Sequence, residues 1–392
     1  MSNADRNYRV AIVGCRVRGA HAAKAYGSHP RTELVGLCDL LDERLHELGD
    51  ATGVSARFND LDDMVRETEP DIVVVSTAAA FHHPLVMRVL EHGVNVDVEK
   101  PMCLELTQAD EMVKTARTRG VGLAVHHQWW LAPWGQAIAR SIQAGDIGEI
   151  RYMFASGKGY FGGFGLMEIG THLLNHLIQL GGSCSSVVAH ATRAGRPIEP
   201  DDVVPAPRGM GPVAGDHLTA TLQFDSSATA TLVQHRFDAI QVDAHVVEIY
   251  GREGRLLWHP TGAWHLPNPH ALPGEGRDDW RILEPVYADG FTPDETAGLM
   301  APGDYAFVDE FVRALDEKRA HACGGDVGRH VVETINGIFE AAAYGTRVSL
   351  PQKEREGHPL LRWREEAGLG PPEPKPATDS EWLEAEDARI AG

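Results

Sequence analysis

YRVAIVGCRVRGAHAAKA, residues 8–25, runs an apolar β-branched strand into a glycine turn and then into an alanine-rich helical pattern. Gly14 and Gly19 occupy the first and third positions of a GxGxxG loop, and Arg16 stands where the middle glycine belongs. Glycines in such a loop permit a tight turn and let the backbone approach a pyrophosphate at a helix N-terminus. One of the three is missing, but the context supplies support. Strand, turn and helix come in the right order, and Asp39 closes the next apolar run, TELVGLCD, 20 residues after Gly19. An acid at that place accepts a ribose 2′-hydroxyl and disfavours a 2′-phosphate. The expectation is a bound dinucleotide, NAD in preference to NADP, with Gly14, Arg16, Val17, Gly19 and Asp39 around it. Arg44 is a nearby cation that would tolerate a 2′-phosphate. The competing reading is a flavodoxin-like fold with a chance glycine loop and a solvated aspartate at a strand end. Arg16 either pairs with the pyrophosphate or points to solvent, and its sequence context leaves both open.

Outward from this stretch, DIVVVST, NVDVE and VGLAVHH repeat the pattern of short, nearly continuous apolar strands between amphipathic helices. That is the signature of a parallel sheet covered on both faces. The expected fold class is α/β: an N-terminal doubly wound Rossmann sheet over residues 1–127. After about residue 149 the strands alternate instead, as in HLTATLQFDSSATATLVQHRF and AHVVEIYGREGRLLWH, which predicts a largely antiparallel open sheet with one wet face. Residues 128–350 are therefore expected to form an α+β substrate and oligomerisation domain, whose late helical patterns (304–319 and 329–344) are allowed to pack back on the first. WHPTGAWHLPNPHALPGEGRDD reads as a loop region rich in Pro, Gly and His. The prolines and acids after residue 350 read as an extended arm or tail, 351–392.

At the end of the fifth strand stands VNVDVEKPMCLELTQA. Glu99-Lys100-Pro101 in that place, GCRVRG in the first turn, GDIGEI at the domain junction and EIGTHLLN about 70 residues after the lysine together resemble the Gfo/Idh/MocA oxidoreductases, the glucose–fructose oxidoreductase and inositol dehydrogenase family. The resemblance implies NAD(P) chemistry on sugars, cyclitols or their derivatives, and a homodimer or homotetramer through the C-terminal sheet. It implies Lys100 as the active-site lysine, Glu168 and His172 at the family's aspartate and histidine positions, and Thr77, His82, Glu99 and Lys100 itself on the cofactor side with the loop residues. Lys100 also sits at the carboxyl end of a parallel strand, where such sheets bind ligands. Pro101 keeps it out of the helical region and is compatible with a cis bond.

Glu168, His172 and His176 recur every fourth residue in MEIGTHLLNH, which places them on one stripe of a helix. Three ligands so spaced climb about 12 Å at 1.5 Å per residue, too far for a single ion without help from elsewhere, so no metal is expected. Oxidation of a secondary alcohol needs a base for the hydroxyl proton, and imidazole suits that task near neutral pH. His172 is assigned as acid and base, Lys100 as donor to the same oxygen, Glu168 as orienter or relay, and His176 as a core or interface residue. Three features depart from the family's pattern: Glu168 for aspartate, Asn175 for a second aspartate, and Trp130 for arginine. Trp130, with Trp129 and Trp134, offers either a platform for a sugar ring or packing between domains. Tyr160, in GKGYFGGFG, joins the substrate candidates.

A formal net charge of −20 argues against nucleic acid and anionic membrane as partners. No apolar run approaches the roughly 18 residues of a membrane span, and MSNADRNYRVAIVG lacks the charged and apolar regions of a signal peptide, so a cytoplasmic location is expected. Five cysteines without a CxxC pair fit reduced, buried thiols better than a disulfide framework or a zinc site. The expected function is an NAD-dependent oxidoreductase taking hydride from a secondary alcohol of a sugar, cyclitol or glycoside. Two alternatives are an NAD-retaining, redox-assisted glycosidase and a non-catalytic NAD-binding regulator.

Overall fold

The structure is a computed structural model, and it describes residues 6–237, 244–270, 280–293, 298, 301–373 and 378–391. The chain divides into two compact units. The first unit takes Met1–Cys103, Gln108–Ala132 and Tyr287–Arg329; the second takes Leu104–Thr107, Pro133–Val286 and His330–Gly392. One late segment, Tyr287–Arg329, belongs with the first unit.

Six parallel strands make the sheet of the first unit: β1 (Tyr8–Val13), β2 (Thr32–Cys38), β3 (Arg57–Phe58), β4 (Ile72–Val75), β5 (Asn95–Val98) and β6 (Leu123–Val125). Their spatial order is 3-2-1-4-5-6, the doubly wound order with its switch point between β1 and β4. β4 is buried along its whole length, as expected of a strand covered on both faces. The two-residue β3 escapes notice in the sequence because RF is too short to show a period. Val10, Ile12 and Leu37 of the sheet share a core with Tyr26, Phe307 and Phe311, so the returning Ala301–Glu317 helix is part of this unit's core. Burying each of the large side chains contributes roughly 1.5–3 kcal/mol.

The second unit is built on a mixed sheet that is mostly antiparallel. Its strands run in the order Arg281–Ile282, Gly262–Leu266, Arg255–His259, Val246–Gly251, Ile150–Ser156, Thr229–His235, His217–Phe224, Cys184–Arg193 and Val348–Ser349. The Ile150–Ser156 and Thr229–His235 pair is parallel. Both expected hairpins form, His217–Phe224 with Thr229–His235 and Val246–Gly251 with Arg255–His259. His217–Phe224 alternates buried and more exposed residues, and the Thr171–Gly181 helix, buried at nearly every position, covers one face. The loop expected after Trp258 instead contains the strand Gly262–Leu266, which pairs with Arg255–His259; residues 271–279 of that stretch lie outside the described residues.

Where an extended arm or tail was expected, the structure has two helices, Pro359–Glu366 and Asp379–Ala391. Proline favours the first, standing at its N-terminal turn behind His358, whose Nδ1 accepts from the Leu360 N–H. Among the described residues the five cysteines are free and buried, and no helix is long and apolar enough to cross a membrane.

Candidate active site

The glycine loop of the first unit is shaped by close backbone approach. Gly14 has φ +92°, and a Cβ there would sit 2.7 Å from the Ser76 carbonyl oxygen. A Cβ on Gly19 would lie 1.9 Å from the Gly14 carbonyl oxygen, so the helix Val17–Ser28 can start this close to β1 only with glycine in that place. Ser76 Oγ locks the turn by donating to the Val13 and Gly14 carbonyls at 3.1 and 2.9 Å. Arg16 is the N-cap of the helix with no side-chain cap, and Arg16 and Val17 are exposed. The loop thus keeps helix N–H groups open to an anion without the middle glycine, because the residue in that place, Arg16, has ordinary extended backbone at φ −83°.

Asp39 follows β2 and its carboxylate accepts from two backbone N–H groups, Cys15 at 2.7 Å and Leu41 at 3.0 Å. One carboxylate therefore joins the end of β2 to the glycine turn. Beside it, Leu40 and Leu41 are 85% and 57% exposed. Thr77 follows β4 next to Gly14. The His82 ring is buried, with Nδ1 2.7 Å from the Pro101 carbonyl and Nε2 3.0 Å from the Thr77 carbonyl. Two acceptors favour the charged ring, but burial pulls its pKa below the ordinary histidine value. His82 thus ties the turn after β4 to the turn after β5, and it holds backbone in both.

The Lys100–Pro101 bond is cis, and Lys100 is half-buried at the carboxyl end of β5. Below it runs a chain of charged side chains. Arg18 Nε lies 3.0 Å from Glu99 and Arg18 Nη2 3.3 Å from Asp304. His126 stands between Asp304 and Asp97 at 3.1 Å from each, and the Tyr26 hydroxyl donates to Asp97 at 3.0 Å. Burial alone would lower the His126 pKa, but Asp97 and Asp304 outweigh it and push it up to about 10, so the imidazolium persists at neutral pH. Burial likewise works to raise the Glu99 carboxyl, and Arg18, His126 and Lys100 hold it below its ordinary value. Arg18, Asp304 and His126 were not singled out from the sequence. Arg18 lies in the quoted loop, but its partners are 81 and 286 residues away.

In the second unit, Glu168 lies on a π-helical turn, Leu166–Gly170, that continues into the Thr171–Gly181 α-helix. The sequence pattern assumed an even α-helix; a wider turn rotates Glu168 relative to His172 and breaks the uniform stripe. The glycines ahead of it have a packing cause, since a Cβ on Gly163 would lie 2.6 Å from the Ala214 carbonyl oxygen. His172 is buried, as is Asn175. His176 turns its Nδ1 to the His172 carbonyl at 2.9 Å and packs its ring 4.3 Å from that of Trp258. Among the described residues no three His, Cys, Asp or Glu are grouped to hold a metal ion. Tyr160 is half-buried, its ring 5.3 Å from Phe164. Burial, followed by Glu168 and Asp379, raises its phenol pKa. Trp130 belongs to the first unit and packs against that unit's core, and Trp129 is buried.

The structure therefore gathers Gly14, Gly19, Asp39, Thr77, His82, Glu99 and Lys100 along the carboxyl ends of β1, β2, β4 and β5, and Tyr160 with Glu168 in the second unit. Comparison with known proteins extends this. The Gfo/Idh/MocA model described as an oxidoreductase family with an NAD-binding Rossmann fold matches residues 8–127, and the family's C-terminal alpha/beta domain matches residues 140–350. A D-apiose dehydrogenase of Paraburkholderia graminis is 29% identical over 210 residues, 50% of this chain and 56% of that protein. A D-glucoside 3-dehydrogenase of Escherichia coli is 32% identical over 205 residues, 47% of this chain and 57% of its own length. The alignments thus span little more than half of these curated relatives. The solved levoglucosan dehydrogenase in complex with NADH and levoglucosan superposes with a TM-score of 0.75 at 18% identity, covering 88% of this chain and all of that one, a likeness of fold. With both of its domains matched by the family's own, this chain belongs to the Gfo/Idh/MocA oxidoreductase family.

Proposed function

We propose that the chain is an NAD-dependent dehydrogenase that oxidises a secondary alcohol of a sugar, cyclitol or glycoside. The observation that carries this reading is the Arg18–Glu99 pair at 3.0 Å. It joins the first turn of the glycine-loop helix to the residue before Lys100, so that one frame carries both the nucleotide loop and the reactive lysine. The names of the relatives, dehydrogenases of D-apiose, D-glucosides and levoglucosan, support the substrate class.

The residues present fit the dinucleotide. The approach at Gly14 and Gly19, with the helix N–H groups behind Arg16 and Val17, suits a pyrophosphate. Asp39, whose two oxygens each hold one N–H, has lone pairs left for ribose hydroxyls. When bound, NAD supplies the hydride acceptor.

This chain's own part is proton and charge management. His172 takes the hydroxyl proton as general base and returns it in the reverse direction. Lys100 donates a hydrogen bond to the oxygen and stabilises its developing negative charge. Glu168, at 13% side-chain exposure and 3.9 Å from Arg208, orients the substrate or relays the proton. The family's pattern also supports a homodimer or homotetramer through the second sheet, which light scattering after size exclusion checks.

The test is a screen of the purified protein with NAD and three neutral sugars: levoglucosan, D-apiose and methyl β-D-glucopyranoside. NADH formation with at least one is expected. Absence of NADH with all three, while NAD still binds, would overturn the reading.

A further inference from the structure

Residues after 350 lie beyond both family matches, and the structure shows where the last of them go. The Asp379–Ala391 helix packs on the second unit through Trp382. Its ring stands edge-on to Phe161 at 5.5 Å and tilted against Phe164 at 5.2 Å, and its indole N–H donates to the Pro205 carbonyl at 2.9 Å. Arg236 pairs with Asp387 at 2.8 Å, and Arg193 donates to the Arg389 carbonyl at 3.0 Å. Three separate anchors therefore fix this helix.

They set its first residue, Asp379, 3.0 Å from Arg208. Arg208 is itself unusual: it holds left-handed backbone at φ 57°, a conformation disfavoured for a residue with a Cβ. From there its guanidinium lies over the Phe164 ring at 5.6 Å and 3.9 Å from Glu168. Tyr160 packs against the same ring, tilted, with centroids 5.3 Å apart. Arg208 and Asp379 remain 44% and 35% exposed, so a ligand can reach both.

We propose that Arg208, Asp379 and Tyr160 form a sugar-hydroxyl subsite beside Glu168, and that the C-terminal helix, by supplying Asp379, selects neutral polyols over anionic sugars. The proposal rests on the dehydrogenase reading, in which Glu168 marks the reacting end. Its chemistry follows from the groups present. A guanidinium only donates, carboxylates only accept, and a phenol does both; a sugar hydroxyl can bridge any two of them. One cation stands between two carboxylates, so these groups carry a net negative charge. A uronate carboxylate or a sugar phosphate entering there would meet Glu168 and Asp379 at close range, and like charge without compensation is how a site rejects a ligand. Asp379, with its Oδ1 3.0 Å from Arg208 Nε, also restrains that side chain, so less rotamer freedom is lost when a ligand binds.

The experiment uses the full-length protein loaded with NAD and the neutral sugar that the screen shows to be turned over best. Asp379→Asn and Arg208→Gln are each expected to raise KM about tenfold, the scale of one or two lost charge-assisted hydrogen bonds, with a smaller change in kcat. Calorimetric binding of the same sugar should weaken in parallel, while NAD affinity and melting temperature stay at the wild-type values. D-glucuronate, tested beside it, should gain in kcat/KM relative to the neutral sugar in Asp379→Asn alone, because that change removes a negative charge. Unchanged KM and unchanged sugar affinity in both variants overturn the subsite and leave the dehydrogenase reading standing. No NADH from any sugar overturns both. Should Arg208→Gln fail to fold, Asp379→Asn, at the exposed start of its helix, decides the matter.

Discussion

Arg18 Nε and the Glu99 carboxylate lie 3.0 Å apart, joining a helix whose N-terminus faces the nucleotide loop to the residue that precedes Lys100. With only 22% and 12% of their side chains exposed, the pair is desolvated enough that losing one partner leaves a poorly solvated charge behind. Arg18→Met is expected to destabilise the first unit by about 3 kcal/mol, the low end for a broken buried pair. It should lower kcat as well, because the turn bearing Lys100 loses its support. Denaturant titration checks the first expectation and steady-state kinetics the second; a variant as stable as the wild type would show that the pair is a surface ornament.

The His126 imidazolium gives the first unit a pH dependence with a definite sign. Its pKa is raised from an ordinary 6.5 to about 10 in the folded protein, so the folded state holds the proton that the unfolded chain releases. The stabilisation is complete below pH 6.5, declines as the pH rises, and is gone above about pH 10. One proton limits the slope to about 1.4 kcal/mol per pH unit. Urea midpoints measured from pH 6.5 to 9 should fall for the wild type and fall less for His126→Asn. A wild-type midpoint that stays flat or climbs over that range would remove His126 from the explanation.

Lys100→Met and His172→Asn should each lower kcat by about 10²–10⁴-fold, the usual worth of a positioned acid, base or proton donor, while NAD affinity changes little. His172 is not assigned to the nucleotide, and Lys100, though expected on the cofactor side, is assigned to the reacting oxygen. Turnover close to wild type in one variant would take that residue, and not the other, out of the mechanism.

Asp39→Ala should narrow the preference for NAD over NADP, since the carboxylate that a 2′-phosphate would meet is gone. The structure adds a second consequence. The same side chain holds the Cys15 and Leu41 N–H groups, so NAD binding should weaken too. Fluorescence titrations with both nucleotides read the two effects separately, and equal affinity of the wild type for NAD and NADP would contradict the role given to Asp39.

The legible parts of this chain are those where chemistry is local. The turn could be read at Gly19, where the Gly14 carbonyl that excludes a Cβ lies only five residues back, and β4 because IVVV shows its two-sided burial directly. The hairpin of His217–Phe224 announced itself by alternation. What stayed hidden is set by distant neighbours. Asp304 is an ordinary acid in its helix until the fold brings it to 3.1 Å from His126, and nothing around PRG at Pro207–Gly209 reveals that Arg208 will meet Asp379, 171 residues on. The C-terminal stretch misled for the same reason: its prolines and charges describe the linker, whereas the last helix is held by Trp382, whose partners Phe161, Phe164 and Pro205 lie far back in the chain. Regularity misled at Glu168, since fourfold spacing predicts an even helix and cannot show the widened turn at Leu166–Gly170.

Oxidation with release of NADH and redox-assisted bond cleavage place different demands on the same residues, and one experiment separates them. A dehydrogenase gives NADH in amounts equal to the sugar consumed, with a primary isotope effect when the reacting carbinol carbon carries deuterium. A glycosidase that keeps its nucleotide would release an aglycone without added NAD. It would also have to remove the proton beside the transiently oxidised carbon, so its substrate would exchange that hydrogen with solvent. Aryl β-glucosides in deuterated water, followed by absorbance and by proton resonance, report both. We expect equimolar NADH, a deuterium effect at the carbinol carbon and no exchange at its neighbour. His172 and Lys100 then serve a single oxygen, and no second base is needed. Aglycone release with wash-in of solvent deuterium and no net NADH would instead require a base for the neighbouring carbon, and Glu168, on its π-helical turn with Tyr160 and Arg208 beside it, would be the residue to mutate first.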